Sequence, residues 1–419
     1  MSLKILTIEG GRPLTGCVRV SGAKNAVLPL LAATAAHGGR YRLENCPALS
    51  DVDATVDILE HLGCRVYRNA DVIEVDSRPM RCAEIPREKM LRLRSSVIFL
   101  GALLARCGRA QLWLPGGCCI GSRPIDLHLS ALRELGAQVT EHGARVHCAC
   151  EALRGGTLRL RFPSVGATEN ILLAGMGADG PVTVINAARE PEVAALAGFL
   201  RAMGAEISGE GSGVIRLVPP RRFRDVRFRV PPDRIEAATW LCALASAGGA
   251  VTVRNVCPDQ LAPVIDCLRS AGMSIESRGQ TLHAACEALH AAAPVRTGPY
   301  PAFPTDAQAP LMAALLKAEG TTYIEETVFE HRFGHVDALR AMGADIAVSG
   351  TKARIRGVGA LRGADVAATD LRGGAAMVIA ALGAEGVSHI TELQHIGRGY
   401  ERLCEKLRGL GAEARLDAE

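Results

Sequence analysis

The sequence predicts an α/β protein of two domains assembled from six copies of one unit. Three observations predict it: a helix-ending pattern that recurs six times, a second landmark repeating in phase with it, and a break with three copies on either side. The first landmark is LEHLGC, LRELGA, LRAMGA, LRSAGM, LRAMGA and LRGLGA, whose glycines Gly63, Gly136, Gly204, Gly272, Gly343 and Gly411 fall about every 70 residues. The second is an Ala/Leu-rich helical stretch that stops at Gly39, Gly108, Gly180, Gly249, Gly320 or Gly386 and leads into an alternating β-branched run such as Val182–Ala187 or Val251–Val256. Glycine after a helix supplies the left-handed C′ residue, and period-two alternation marks a half-buried strand. The break is VPPDRIEAATWL, where Pro231 and Pro232 interrupt a strand-like run and Asp233 with Glu236 forms a capping-box pattern for the next helix.

Composition narrows the function. A 48% hydrophobic content with only 4% aromatics and 45 glycines predicts cores packed from Ala, Leu and Val. The net charge of +4 gives no global basic excess, so any anion site is local and a dedicated nucleic-acid role is not expected. The alternating run Arg221–Arg229 predicts a strand with one wet basic face, unaccompanied by aromatic stacking residues. No stretch approaches the roughly 18 apolar residues of a membrane span, and no signal peptide is expected. The 14 scattered cysteines favour free thiols in a reducing compartment, with the cytoplasm as default. No metal is expected, because Cys148 and Cys150 are not followed by a second pair or histidines at zinc spacing.

Three motif groups could carry chemistry. SGAKNAVLPLL sets Lys24 and Asn25 just ahead of an apolar helix, where free N–H groups and a cation can receive an anion; Pro29 would delay the helix by a turn. From the residues alone, Lys24 is either such a ligand or a solvated helix-start lysine. LPGGCCIGSRPIDLH holds Cys118 and Cys119 in a Gly-rich loop ahead of Arg123 and Asp126, the setting of a reactive thiol, although a small buried hydrophobe is the alternative for either cysteine. In the second half, FPTDAQ, ETVFEHRF, ATDLRGG and HIGRGYE offer Asp306, Arg332, Asp370, Arg372 and Arg398, each near the landmark turn of its own repeat. Each is an N-cap or surface residue by itself, but repeat symmetry could bring them together.

Taken with SVGAT, AAREPE and PDRIE, these motifs resemble, in order and over essentially the whole chain, the UDP-N-acetylglucosamine 1-carboxyvinyltransferases of the enolpyruvyl transferase family. The resemblance implies two inside-out α/β domains, each of three βαβαββ units, divided as residues 1–23 plus 232–419 and residues 24–231 with the site in the cleft between them. It implies transfer of the enolpyruvyl group of phosphoenolpyruvate to the 3′-hydroxyl of UDP-N-acetylglucosamine with release of phosphate, the first committed step of peptidoglycan synthesis. No cofactor is implied.

The residue roles follow from the same resemblance. Lys24 and Asn25 match the phosphoenolpyruvate-contacting pair, Arg123 and Arg398 join Lys24 on the phosphate, Arg332 and Arg372 hold the carboxylate, and Arg94 matches a cleft arginine. Arg123, Pro124, Ile125, Asp126 and Leu127, with Phe162, Pro163, Ser164, Val165, Asp306 and Val328, match the sugar-nucleotide site. Cys118 matches the proton donor that also forms an adduct and is the target of the epoxide fosfomycin; Asp306 is the candidate base, and Asp370 joins the catalytic candidates. A thiol with a free pKa of about 8.5 is mostly protonated at neutral pH and can donate. The chain departs from the family at Gly397, where relatives often carry an acid, at Phe162, where some carry lysine, and at Cys119, often threonine. The rivals are the sister transferase acting on shikimate 3-phosphate, which lacks the Cys118 loop, and a catalytically silent sugar-nucleotide sensor.

Overall fold

A computed structural model describes residues 4–114 and 125–418, without the side chains of Arg94 and Ala418. Among these residues, 4–21 with 232–418 form one unit and 22–114 with 125–231 the other. Gly22 and Ala23 belong with the second: the Ala23 N–H donates to the Pro231 carbonyl at 2.7 Å, and a Cβ on Gly22 would lie 1.8 Å from the Asn45 carbonyl oxygen. In the first unit the Asp233 N–H donates to the Ser21 carbonyl at 2.9 Å.

Each unit is helical inside and sheeted outside. In the first, Arg234–Ala247, Gln308–Ala314 and Leu371–Gly383 pack on one another and are buried almost throughout. Helices buried on every face must be apolar all round, and small residues let their backbones approach. Gly383 shows why the composition is rich in Gly and Ala: a Cβ there would sit 2.6 Å from the Ser246 carbonyl oxygen of the neighbouring helix. In the second unit Lys24–Ala33, Phe99–Cys107 and Val165–Gly175 take the same places, and a Cβ on Gly101 would meet the Asn170 carbonyl oxygen at 2.2 Å.

The sheets repeat one pattern: a parallel pair, then two antiparallel strands. Val295–Arg296, Thr321–Glu325, Lys352–Arg356 and Asp345–Ser349 follow that order. Five such sheets have four strands; the sixth has three described strands, with Glu84 bridging Gln111 in parallel where the fourth would lie. Sheets are completed from distant sequence. Lys4–Glu9 lies antiparallel between Val387–Thr391 and Glu413–Ala418, so the N-terminal strand finishes the last repeat. Val226–Arg229 pairs in parallel with Arg40–Glu44 and closes the second unit on its first repeat.

The six landmark glycines of the L-x-x-x-G pattern all have positive φ, from 78° to 118°. The other landmark is less uniform. Gly108, Gly249, Gly320 and Gly386 are left-handed, whereas Gly39 and Gly180 are not. Pro29 does not delay its helix, which starts at Lys24 and carries the proline inside. The capping box is half formed: Asp233 Oδ1 accepts from the N–H groups of Ile235 and Glu236, but the Glu236 carboxylate turns to Ser21, Trp240 and Lys406 instead. No helix among the described residues is long and apolar enough to cross a membrane.

Candidate active site

The sixfold arrangement explains where the motifs fall. SGAKN, RLRSS, SVGAT, PDRIE, FPTDAQ and ATDLR each stand at the start of an inner helix, directly or through a 3-10 turn. Such starts present free N–H groups and a positive partial charge.

In the first unit the second-half residues converge. Asp306, on the turn Thr305–Ala307, accepts from Arg332 Nη2 at 2.7 Å and from Arg372 Nη2 at 2.9 Å. The two arginine side chains are 4% exposed and the carboxylate 27%, so one charged rim faces outward over two buried cations. Arg372 Nη1 donates to Tyr400 Oη at 3.1 Å, and Tyr400 shares a 2.9 Å hydrogen bond with Thr239 Oγ1. Burial opposes the charge on Arg372, but Asp306, Tyr400 and Asp233 outweigh it and hold its pKa above the ordinary value. Asp370 caps its helix, accepting from the N–H groups of Arg372 and Gly373. Buried His335 lies against it; desolvation pushes its pKa down to about 4 despite the Asp370 charge, so the imidazole is neutral at physiological pH. Arg398 sits half-buried on the turn Ile396–Arg398, two residues from Tyr400, and a side chain at Gly397 would meet nothing within 4 Å. Val328 is half-buried on the same segment as Arg332.

In the second unit Lys24 Nζ pairs with Asp51 Oδ2 at 2.7 Å, both side chains nearly buried, while Asn25 is exposed. Ser164 caps Val165–Gly175 through Ala167 N–H at 3.3 Å, and Thr168 Oγ1 accepts from Ala188 N–H at 3.0 Å, which joins SVGAT to AAREPE. Asn170 ties three elements together: its amide oxygen accepts from Gly101 N–H at 2.7 Å, and its amide nitrogen contacts the Val97 carbonyl at 3.0 Å and His128 Nδ1 at 2.7 Å. Asp126 begins the helix Asp126–Glu134 and pairs with exposed Arg161. Ile125, Leu127, Pro163 and Val165 are half-buried, and Phe162 is exposed. Cys118, Cys119, Arg123 and Pro124 lie outside the described residues, as does the side chain of Arg94.

Sequence reading missed Asp51, Tyr400, Glu326 and Glu169. Tyr400 and Glu326 stood inside quoted motifs, and Glu169 is an acid in a largely apolar helix, a signal of pairing or of a held proton; Asp51 is one of several acids on the helix Ser50–His61, and no local pattern sets it apart. Glu169 is fully buried; desolvation first, then the charges of Glu192 and Glu190, raise its pKa well above 4.5. The folded protein therefore holds a proton there that the unfolded chain releases above its own pKa, and this contribution to stability falls as pH rises from about 4.5 toward the folded value. Glu169→Gln is accordingly expected to shift Tm relative to wild type in a direction that grows more favourable between about pH 5 and pH 8. Thermal melts across that range check it, and a constant difference would contradict it.

Residues 8–407 match the family described as EPSP synthase (3-phosphoshikimate 1-carboxyvinyltransferase), and the chain belongs to that family of carboxyvinyl transferases. Within it, the chain is 44% identical over 407 residues to "UDP-N-acetylglucosamine 1-carboxyvinyltransferase 2" of Caldanaerobacter subterraneus subsp. tengcongensis, covering 97% of this chain and 98% of that one. It is 46% identical over 408 residues to the protein of the same name from Carboxydothermus hydrogenoformans, covering 97% of each. The enolpyruvyl transferase NikO from Streptomyces tendae superimposes with a TM-score of 0.90 at 28% identity, covering 100% of both chains. EPSP synthase from Acinetobacter baumannii, at a TM-score of 0.76 and 19% identity over 99% of this chain and 100% of that one, shares the fold.

Proposed function

We propose that this chain transfers the enolpyruvyl group of phosphoenolpyruvate to the 3′-hydroxyl of UDP-N-acetylglucosamine and releases phosphate, in the cytoplasm, as the entry step of peptidoglycan synthesis. The observation that carries the reading is the carboxylate of Asp306 held by two buried arginines, in a chain whose full-length relatives bear that name. Buried guanidiniums are costly without an anion, and a fork-shaped donor pair matches a carboxylate. In the structure Asp306 fills that role. The carboxylate of phosphoenolpyruvate competes for the same Nη2 donors, and its arrival leaves Asp306 to accept a proton from the sugar hydroxyl.

The bond changes balance. The 3′-oxygen bonds to C2 as Asp306 takes its proton, and C3 receives a proton from the Cys118 thiol. In the second step C3 gives a proton back to the Cys118 thiolate, the double bond re-forms as the C2–O bond to phosphate breaks, and the departing phosphate takes the proton that Asp306 holds. Lys24, with Arg123 and Arg398, carries the phosphate charge, and neutral His335 adds no competing cation beside Asp370.

The test is phosphate release from phosphoenolpyruvate with each acceptor. Release is expected with UDP-N-acetylglucosamine and not with shikimate 3-phosphate. Turnover on the second acceptor alone, or binding of the sugar nucleotide without turnover, would overturn the proposal.

A further inference from the structure

We infer that Glu326, which no sequence reading singled out, is a positioning residue that fixes the Asp306 turn to the segment carrying Val328 and Arg332; the inference rests on the function proposed above. Glu326 follows the strand Thr321–Glu325 and is 1% exposed. Its Oε1 accepts from Thr297 Oγ1 at 2.9 Å, Val328 N–H at 2.8 Å and Phe329 N–H at 3.3 Å. Its Oε2 accepts from Thr305 Oγ1 at 2.8 Å. These four partners are all neutral donors, and a buried carboxylate is tolerated when its lone pairs are filled in this way.

The geometry assigns each bond a purpose. Thr305 immediately precedes Asp306, while Val328 and Phe329 lead to Arg332, whose guanidinium lies 5.4 Å from the Phe329 ring centroid. A second staple backs the first: Thr327 N–H donates to Thr297 Oγ1 at 2.9 Å and Thr327 Oγ1 to the Thr297 carbonyl at 2.7 Å. Asp306 and Arg332 are therefore joined twice, directly by their ion pair and beneath it through one carboxylate. Only the lower joint survives when the substrate's carboxylate displaces Asp306 from the arginines. Glu326 then keeps the base at the spacing the ion pair no longer enforces.

A carboxylate suits this position because it accepts at several points and demands no acceptor of its own. Glutamine can reproduce the arrangement: its oxygen replaces Oε1 with all three donors, and its amide group donates to Thr305, whose hydroxyl turns to accept. Alanine cannot.

The experiment compares Glu326→Gln, Glu326→Ala and Thr305→Val by steady-state kinetics, with hydrogen exchange over residues 297–335. Glu326→Ala is expected to lose about a hundredfold in kcat, the scale of a misplaced catalytic group, with a smaller change in KM for UDP-N-acetylglucosamine. Thr305→Val is expected to lose about tenfold in kcat, and Glu326→Gln to recover most of the wild-type rate. Exchange should rise in Glu326→Ala at both the Asp306 turn and the 327–332 segment, and return to the wild-type level in Glu326→Gln. A folded alanine variant with wild-type kcat, or a glutamine variant as impaired as alanine, would overturn the inference. If Glu326→Ala does not fold, Thr305→Val decides on the same readouts. Should wild type itself fail to turn over, the proposed function falls, and unchanged exchange in the alanine variant is the separate result that removes the positioning role.

Discussion

Asp306→Asn is expected to lower kcat by about a thousandfold, within the range that a positioned general base contributes. The amide keeps an oxygen for one guanidinium and nearly the same shape, so the turn at Thr305–Ala307 should hold. It cannot take the sugar proton. Arg332 and Arg372 also lose their shared counter-charge while remaining 4% exposed, so the variant should melt at a lower temperature without ligand. Phosphoenolpyruvate should restore part of that loss, because its carboxylate supplies the missing charge. Steady-state kinetics and melts with and without phosphoenolpyruvate check both halves. A variant with near wild-type kcat would remove Asp306 from the chemistry.

Lys24→Met should cost both stability and activity, and a second substitution should separate them. The lysine and Asp51 side chains are 10% and 4% exposed and meet at 2.7 Å. Removing one partner of a buried pair costs about 3 kcal/mol, chiefly because the other charge stays desolvated. Adding Asp51→Asn removes that charge, so the double variant should regain most of the lost Tm. Activity should not return, since the substrate's phosphate still lacks its cation; a loss of at least about a hundredfold in kcat/KM for phosphoenolpyruvate is expected for both variants. Recovery of activity in the double variant would show that Lys24 serves the fold alone.

The repeat was legible because it is written in backbone requirements. A left-handed residue after each L-x-x-x-G helix demands glycine, so Gly63, Gly136, Gly204, Gly272, Gly343 and Gly411 mark all six units. Capping was legible only in part: Asp233 and Asp370 cap as expected, but the fate of Glu236 depended on Lys406, 170 residues away, and no local pattern encodes such a partner. The sequence drew attention to candidate residues where a charged side chain stands at a small-residue turn, as at Lys24 and Asp306; Cys118 was singled out in the same way and lies outside the described residues. Supporting residues escaped because their chemistry is supplied by distant segments. Tyr400 is a core aromatic until Arg372 is placed against it, and Glu326 is an ordinary strand-end acid until Thr297 and Thr305 point hydroxyls at it.

The mechanism requires C3 of the transferred group to become a methyl in the intermediate and to lose a proton again on elimination. The most direct measurement is therefore the reaction of phosphoenolpyruvate with UDP-N-acetylglucosamine in D2O, followed by proton and phosphorus NMR. Addition and elimination predict inorganic phosphate together with an enolpyruvyl ether of the sugar nucleotide carrying deuterium at its vinyl carbon, formed by wild type and about a thousandfold more slowly by Asp306→Asn. Phosphate appearing beside unaltered UDP-N-acetylglucosamine, or a vinyl product free of deuterium, would contradict it.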